Sequence, residues 1–136
     1  MTKKCLDELT YKVIGAAIEV HKALGPGLFE SVYHTCMKYE LQLRNINYKS
    51  EMIIPLFFKE VKMNVDLRFD LFVDDCIVIE LKTVETFAPL HEAQLLTYMK
   101  LLRAPKGIII NFNCVNIFEK GQKTFVNEIF RSLPDE

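Results

Sequence analysis

Apolar and polar positions along this chain follow two different periods, and the switch between them marks out the elements. From residue 7 to residue 24 the helical period holds: Leu6, Leu9, Val13, Ala17, Val20 and Leu24 recur at three- and four-residue steps. Gly25-Pro26-Gly27 stops that helix. A second helix is predicted over 28–44, with Leu28, Val32, Cys36, Tyr39 and Leu43 as its buried stripe and Asn45-Ile46-Asn47 as its exit. A third runs over 89–103, with Pro89 in its first turn and Ala104-Pro105 at its end.

Between the second and third helices the period is two. A first strand is expected over 49–58, where Pro55 suggests an edge position or a bulge. Lys59-Glu60 reads as a short turn. The second strand, 61–73, has the clearest alternation: Val65, Leu67, Phe69, Leu71 and Val73 face one way, and Asp66, Arg68, Asp70, Phe72 and Asp74 the other. In the third, 77–83, Ile77, Ile79 and Leu81 share one face and Val78, Glu80 and Lys82 the other. Parity constrains how these two strands join. A two-residue turn at Asp74-Asp75 would pair Asp70 with Ile79 and leave Glu80 on the wrong face. A three-residue connection, 74–76, or a bulge near Asp70 is therefore expected, with aspartate tolerating left-handed backbone where no glycine is available.

The apolar run 107–112 follows the third helix, and a strand–helix–strand order favours a right-handed crossover and parallel pairing. Residues 116–119 and 124–126, around Lys120-Gly121, suggest a terminal hairpin, followed by a helical turn. The predicted architecture is α/β: an antiparallel three-strand meander plus one parallel strand in a mixed sheet, flanked by helices. It forms one domain over 1–136.

Composition narrows the picture. Half of the 136 residues are hydrophobic, enough for a self-sufficient core. No apolar run approaches the roughly 18 residues of a membrane span, and the N-terminus lacks the apolar centre of a signal peptide, so a cytoplasmic location is expected. The four cysteines are scattered without a C-x-x-C pair, which speaks against a zinc or iron–sulfur site and for small buried hydrophobes. A net charge of −1 counts against a general nucleic-acid binder, though not against a nuclease whose bound metal offsets carboxylates. Lys59, Lys62, Arg68, Lys82, Lys100, Arg103 and Lys106 could still line one surface.

The candidate chemistry sits on the second and third strands. Asp70 precedes Glu80-Leu81-Lys82 by ten residues. Two carboxylates brought together repel unless a divalent cation joins them, and hard oxygen ligands of this kind suit Mg²⁺. Lys82 shares the face of Glu80. Cation plus ammonium suits phosphodiester hydrolysis, where negative charge grows in the transition state. The third strand is apolar until its last turn, as central strands are, so charges at its end need partners or a ligand. Against this stands the plain alternative of a charged surface hairpin. Gln94 and Tyr98 share a helix face, with His91 one turn earlier; they could position a phosphate or the nucleic-acid backbone, or belong to an ordinary amphipathic helix. His91 as a metal ligand is the weaker idea, because a histidine in a first turn is often only solvated. Gly27, Glu30 and Tyr33 spell G-x-x-E-x-x-Y at the start of the second helix. Glu30 could be a dipole-favoured residue or a third carboxylate near the metal. His21 has no spacing partner and is read as packed or solvated. No Ser-His-Asp or Cys-His set and no glycine-rich phosphate loop can be assembled.

The run 25–33, then Asp70, Ile79-Glu80-Leu81-Lys82, the segment 91–98 and Ile109-Ile110-Asn111-Phe112 together resemble the GxxExxY proteins, small members of the PD-(D/E)xK nuclease superfamily. The resemblance covers about residues 21–112, in the family's motif order. It implies a restriction-endonuclease-like core, with Asp70 and Glu80 as metal ligands and Lys82 as the catalytic lysine. Glu30 matches the family's helical glutamate, in direct or outer-shell contact, and Gln94 and Tyr98 match a substrate-positioning Q-x-x-x-Y element. Phe69 stands where the superfamily name has proline, a position that is not a ligand. The expectation is then a Mg²⁺- or Mn²⁺-dependent nuclease acting on nucleic acid, DNA in the first instance. Asp70, Glu80 and the Leu81 carbonyl would hold the metal. The alternative is a catalytically silent nuclease-fold module that binds nucleic acid or a partner protein, alone or as a homo-oligomer.

Overall fold

The structure, a computed structural model, describes all 136 residues. In chain order the elements are α1 (Lys3–Leu24), α2 (Glu30–Leu43), β1 (Tyr48–Ser50), β2 (Ile53–Ile54), β3 (Phe57–Phe58), β4 (Val61–Lys62), β5 (Leu67–Arg68), β6 (Leu71–Val73), β7 (Ile77–Lys82), α3 (Pro89–Leu102), β8 (Lys106–Asn111), α4 (Ile117–Lys120), β9 (Gln122–Val126) and α5 (Glu128–Arg131). The main sheet has the order β1-β6-β7-β8-β9. Its β7–β8 pair is parallel and the others are antiparallel. This is the mixed sheet that the period-two segments predict, with α3 as the crossover.

β7 and β8 are covered on both faces, which is why their sequences are apolar runs rather than alternating ones. One face packs against α1 and α2: Ile77, Ile79 and Leu81 of β7 and Ile108 and Ile110 of β8 meet Val13, Ala17, Tyr33, Met37 and Leu41. The other packs against α3, where Val78 and Ile109 meet Leu95, Tyr98 and Met99. The approach of α3 is close because β8 carries Gly107: a Cβ there would stand 2.6 Å from Met99 Sδ and 3.0 Å from Leu95 Cδ1.

The long second strand is not continuous. The predicted hairpin 49–73 divides into three short ladders, β1–β6, β2–β5 and β3–β4, and the chain bends at Asp70 between β5 and β6. The bend resets the alternation. Phe69 packs with Phe72 on the α3 face instead of with Leu71, their rings 5.6 Å apart edge to face. The join to β7 is as parity requires: Val73 pairs with Ile77, so Asp74, Asp75 and Cys76 form a three-residue connection. Asp74 and Asp75 adopt φ of 50° and 53°, the left-handed region that aspartate tolerates.

Three other expectations are corrected. The buried stripe of α2 is Tyr33, Met37 and Leu41, not Leu28, Val32, Cys36, Tyr39 and Leu43; Tyr39 and Leu43 are exposed. Both sets have helical spacing, and contact with the sheet selects one. Residues 116–119 form a helical turn capped by Asn116, whose side chain accepts from the Glu119 N–H, while β9 pairs directly with β8. No terminal hairpin exists because β8 already supplies the partner. Lys106 is not on a basic surface: it is buried, 2.7 Å from Asp7 Oδ1 and over the Phe130 ring. No helix is long and apolar enough to cross a membrane.

Candidate functional site

The bend at Asp70 brings it against the end of β7. The Asp70 N–H donates to Glu80 Oε1 at 3.2 Å, and Asp70 Oδ2 accepts from the Leu81 N–H at 2.7 Å. A side-chain carboxylate thus takes the place a backbone carbonyl would hold had β6 continued. The predicted meeting of Asp70 and Glu80 is present, and each carboxylate has one oxygen with no protein hydrogen-bond partner, Oδ1 and Oε2. The N–H and C=O of one strand residue point to the same side, so the Leu81 carbonyl also faces Asp70. The Lys82 carbonyl, one residue on, faces β8 and accepts from the Phe112 N–H at 3.0 Å.

Glu80 is buried, and its pKa is pushed up to about 8. Burial is the main cause and the Asp70 charge the next, with Glu30 adding a smaller push; the Asp70 N–H and the Lys82 ammonium act the other way. Lys82 is partly buried and makes no ion pair of its own. Its ammonium is among the groups that act on Glu80.

Tyr98 and Gln94 come to the site from α3. Tyr98 is buried among Leu95, Met99 and Val78, and Gln94 Nε2 donates to its hydroxyl at 3.1 Å. Burial raises the Tyr98 pKa, and the charges of Glu80 and Asp70 raise it further, so the phenol lies within their field. The ring of Tyr98 therefore has the core role that an amphipathic helix predicts, and its hydroxyl, held by Gln94, feels the charges of Glu80 and Asp70. His91 lies in the first turn of α3. Its Nδ1 accepts from the Ala88 N–H at 3.1 Å and caps the start of α3.

The G-x-x-E-x-x-Y positions do three different jobs. Gly27 has φ of 104°, open to glycine and strained for other residues. Tyr33 is fully buried, stacked on Phe112 at 4.3 Å, and its hydroxyl donates to the Gly25 carbonyl at 2.5 Å while accepting from the Leu28 N–H. Glu30 is exposed on the first turn of α2. With Ser31, His34, Asp70 and Leu81 it lines a hollow of about 190 Å³. Larger hollows lie beside α1, at its junction with the C-terminal tail and against α2, and neither borders Asp70. Asp70 thus borders both sides of the site: the hollow under α2, and the side of Glu80 and Tyr98.

No group of three or more His, Cys, Asp or Glu side chains gathers as a metal cluster. Glu30 feels the pair but does not close on it. The donor set offered to a cation is two carboxylates and one carbonyl, all hard oxygens, which fits Mg²⁺ or Mn²⁺ completed by water and phosphate oxygens rather than a closed zinc-type cage.

Two further residues near the site are given no role of their own by the sequence. Asn111, at the end of β8, donates to the Val84 carbonyl at 2.8 Å and accepts from the Val84 N–H at 3.1 Å, fastening the chain as it leaves β7. His34 lies against the Asp70 backbone. A buried asparagine after an isoleucine run was visible in the sequence; the Asp70–His34 contact spans 36 residues and was not.

The family described as the PD-(D/E)XK nuclease superfamily matches residues 7–125. No curated protein matches the chain. Among solved structures, the crystal structure of SSO0001 is similar with a TM-score of 0.52 and 21% sequence identity, over 74% of this chain and 54% of that one. The chain thus spans about half the length of that protein, and the likeness is one of fold.

Proposed function

The chain belongs to the PD-(D/E)XK nuclease superfamily, and from that premise we propose that it is a Mg²⁺- or Mn²⁺-dependent nuclease hydrolysing phosphodiester bonds of DNA. The observation that carries this reading is the junction of Asp70 with Glu80 and the Leu81 backbone at the end of a buried central strand, with unpaired Lys82 beside it. Asp70, Glu80 and the Leu81 carbonyl would hold the cation, with Glu30 in its outer shell. When bound, the cation supplies Lewis acidity toward the phosphoryl oxygen. Lys82 orients the attacking water, assists its deprotonation and offsets the charge that grows on the phosphate oxygens. Tyr98, held by Gln94, positions the substrate backbone beside the carboxylates. The raised proton affinity of Glu80 makes cation binding compete with protons, so affinity rises with pH through the range near 8.

A second reading has its own support. It is a silent module that binds nucleic acid or a partner protein, and the near-neutral net charge suits a protein partner, or an assembly in which another copy or subunit supplies the basic surface. A cytoplasmic location fits either reading. The test is incubation with circular and linear, single- and double-stranded substrates, DNA and RNA, with Mg²⁺, Mn²⁺ or chelator. The expected result is cation-dependent cleavage of DNA that both chelator and Glu80→Ala abolish. Cleavage surviving in Glu80→Ala would indicate a contaminant, and binding without cleavage would establish the module instead.

A further inference from the structure

His34 is the only side chain from outside the sheet that hydrogen-bonds the backbone of Asp70. Its Nε2 lies 3.1 Å from the Asp70 carbonyl oxygen and 3.0 Å from Ser50 Oγ, and its Nδ1 lies 3.4 Å from Glu51 Oε1. The ring is mostly buried, its side chain 14% exposed. A carbonyl oxygen can only accept, so the contact with Asp70 requires the hydrogen on Nε2, and Ser50 Oγ then cannot donate to that nitrogen. Glu30 and His34 are four residues apart on α2 and line the same hollow, so the helix face that presents the glutamate also presents the imidazole to the strand.

Asp70 sits at a bend, outside any regular ladder, and its orientation rests on individual hydrogen bonds. Two of these, its N–H to Glu80 and its carboxylate to Leu81, are themselves part of the site. The carbonyl side is held by the Glu51 N–H at 3.3 Å and by His34 at 3.1 Å. Without His34, the carbonyl side of the peptide that follows Asp70 would keep only the longer bond, with its Leu71 side still in the β6 ladder. Rotation of that peptide turns the Cα–Cβ bond and with it the carboxylate.

We propose that His34 is a positioning residue, whose Nε2–H pins the Asp70 carbonyl and thereby aims the Asp70 carboxylate at the Leu81 N–H and Glu80. Its catalytic consequence rests on the nuclease reading; its structural consequence does not. Glutamine has a terminal N–H of similar reach and can donate the same bond, whereas alanine cannot.

Two readouts on His34→Ala and His34→Gln test this. Amide hydrogen exchange reads the aim directly: His34→Ala should speed exchange of the Leu81 amide by about tenfold or more while amides in the middle of β8 stay protected, and His34→Gln should restore it. In cleavage assays His34→Ala should lower kcat by about tenfold with KM for nucleic acid little changed, and His34→Gln should recover most of the loss. Unchanged Leu81 exchange in His34→Ala, or a glutamine variant as fast-exchanging as the alanine one, would overturn the proposal. A wild-type protein that cleaves nothing would overturn the nuclease reading, and Leu81 exchange would still decide the role of His34.

Discussion

The two faces of the sheet are unequal, and the inequality separates fold from chemistry. Against α1 and α2 lies a cluster of 18 buried residues; against α3 lies one of 9. By the alternation of β7, the thick face takes Ile77, Ile79 and Leu81, while Glu80 and Lys82 project on the thin one. A charged pair on the thick face would displace apolar contact from the larger core. On the thin face, near the end of the strand, the same pair is desolvated enough to raise the Glu80 pKa yet remains within reach of solvent and ligand. The larger apolar core and the charged pair thus lie on opposite sides of the same six-residue strand.

That division is broken most directly by mutating one side at a time. Lys82→Ala should reduce turnover by about 10³-fold, on the order of 4 kcal/mol of transition-state stabilisation. Its melting temperature and its stabilisation by Mn²⁺ should stay near wild type, because lysine neither fills the core nor ligates metal. Steady-state cleavage and thermal unfolding together check this, and an unchanged rate would remove Lys82 from the mechanism. The reciprocal change is Leu41→Ala, in the thick face. It should cost about 3 kcal/mol of stability by leaving a cavity, seen as a lower denaturant midpoint. The activity of the molecules still folded should be preserved. A large fall in kcat for Leu41→Ala below its melting transition would show that the two faces are not independent.

The remaining test is a pH dependence. The folded-state pKa of Glu80, about 8, lies above its ordinary value of 4.5. The folded protein therefore binds more protons than the unfolded chain between those values. The contribution of Glu80 to metal-free stability is fully present below about 4.5 and is lost as pH rises through about 8. The slope should reach up to ~1.4 kcal/mol per pH unit within that window. Glu80→Gln, which does not titrate, should flatten the curve in chelator. Parallel curves for the two proteins would mean that Glu80 is not desolvated by its surroundings.

How much of this was legible in the sequence depended on the range of the interaction. Parity within one hairpin tied the meeting of Asp70 and Glu80 to a three-residue join or a bulge near Asp70, and the three-residue join is present together with a bend at Asp70. The same local logic misread Phe69, since alternation assumes an unbroken strand and the bend at Asp70 breaks it. For α2, two stripes with helical spacing compete in one stretch, and only the position of the sheet decides that Met37 and Leu41 go in while Tyr39 stays out. The placement of Gln94 and Tyr98 near the carboxylates could be raised as a possibility from their spacing, but their distance from the strand is set by packing. His34 shows the limit most clearly: its partner is a backbone carbonyl, and backbone atoms leave no trace in side-chain patterns.

Gly107 has a consequence of a mechanical kind. With no side chain, it sets the clearance between α3 and β8, as a shim sets the gap between two machine parts. Leu95 and Met99, the residues that would meet an added methyl, directly flank Gln94 and Tyr98 along the helix. A shim thicker by one carbon would press on the Met99 and Leu95 side chains, next to Tyr98 and Gln94, with no change to any polar residue. The seat of Tyr98 is therefore set from beneath the helix, at a position that carries no polar side chain of its own.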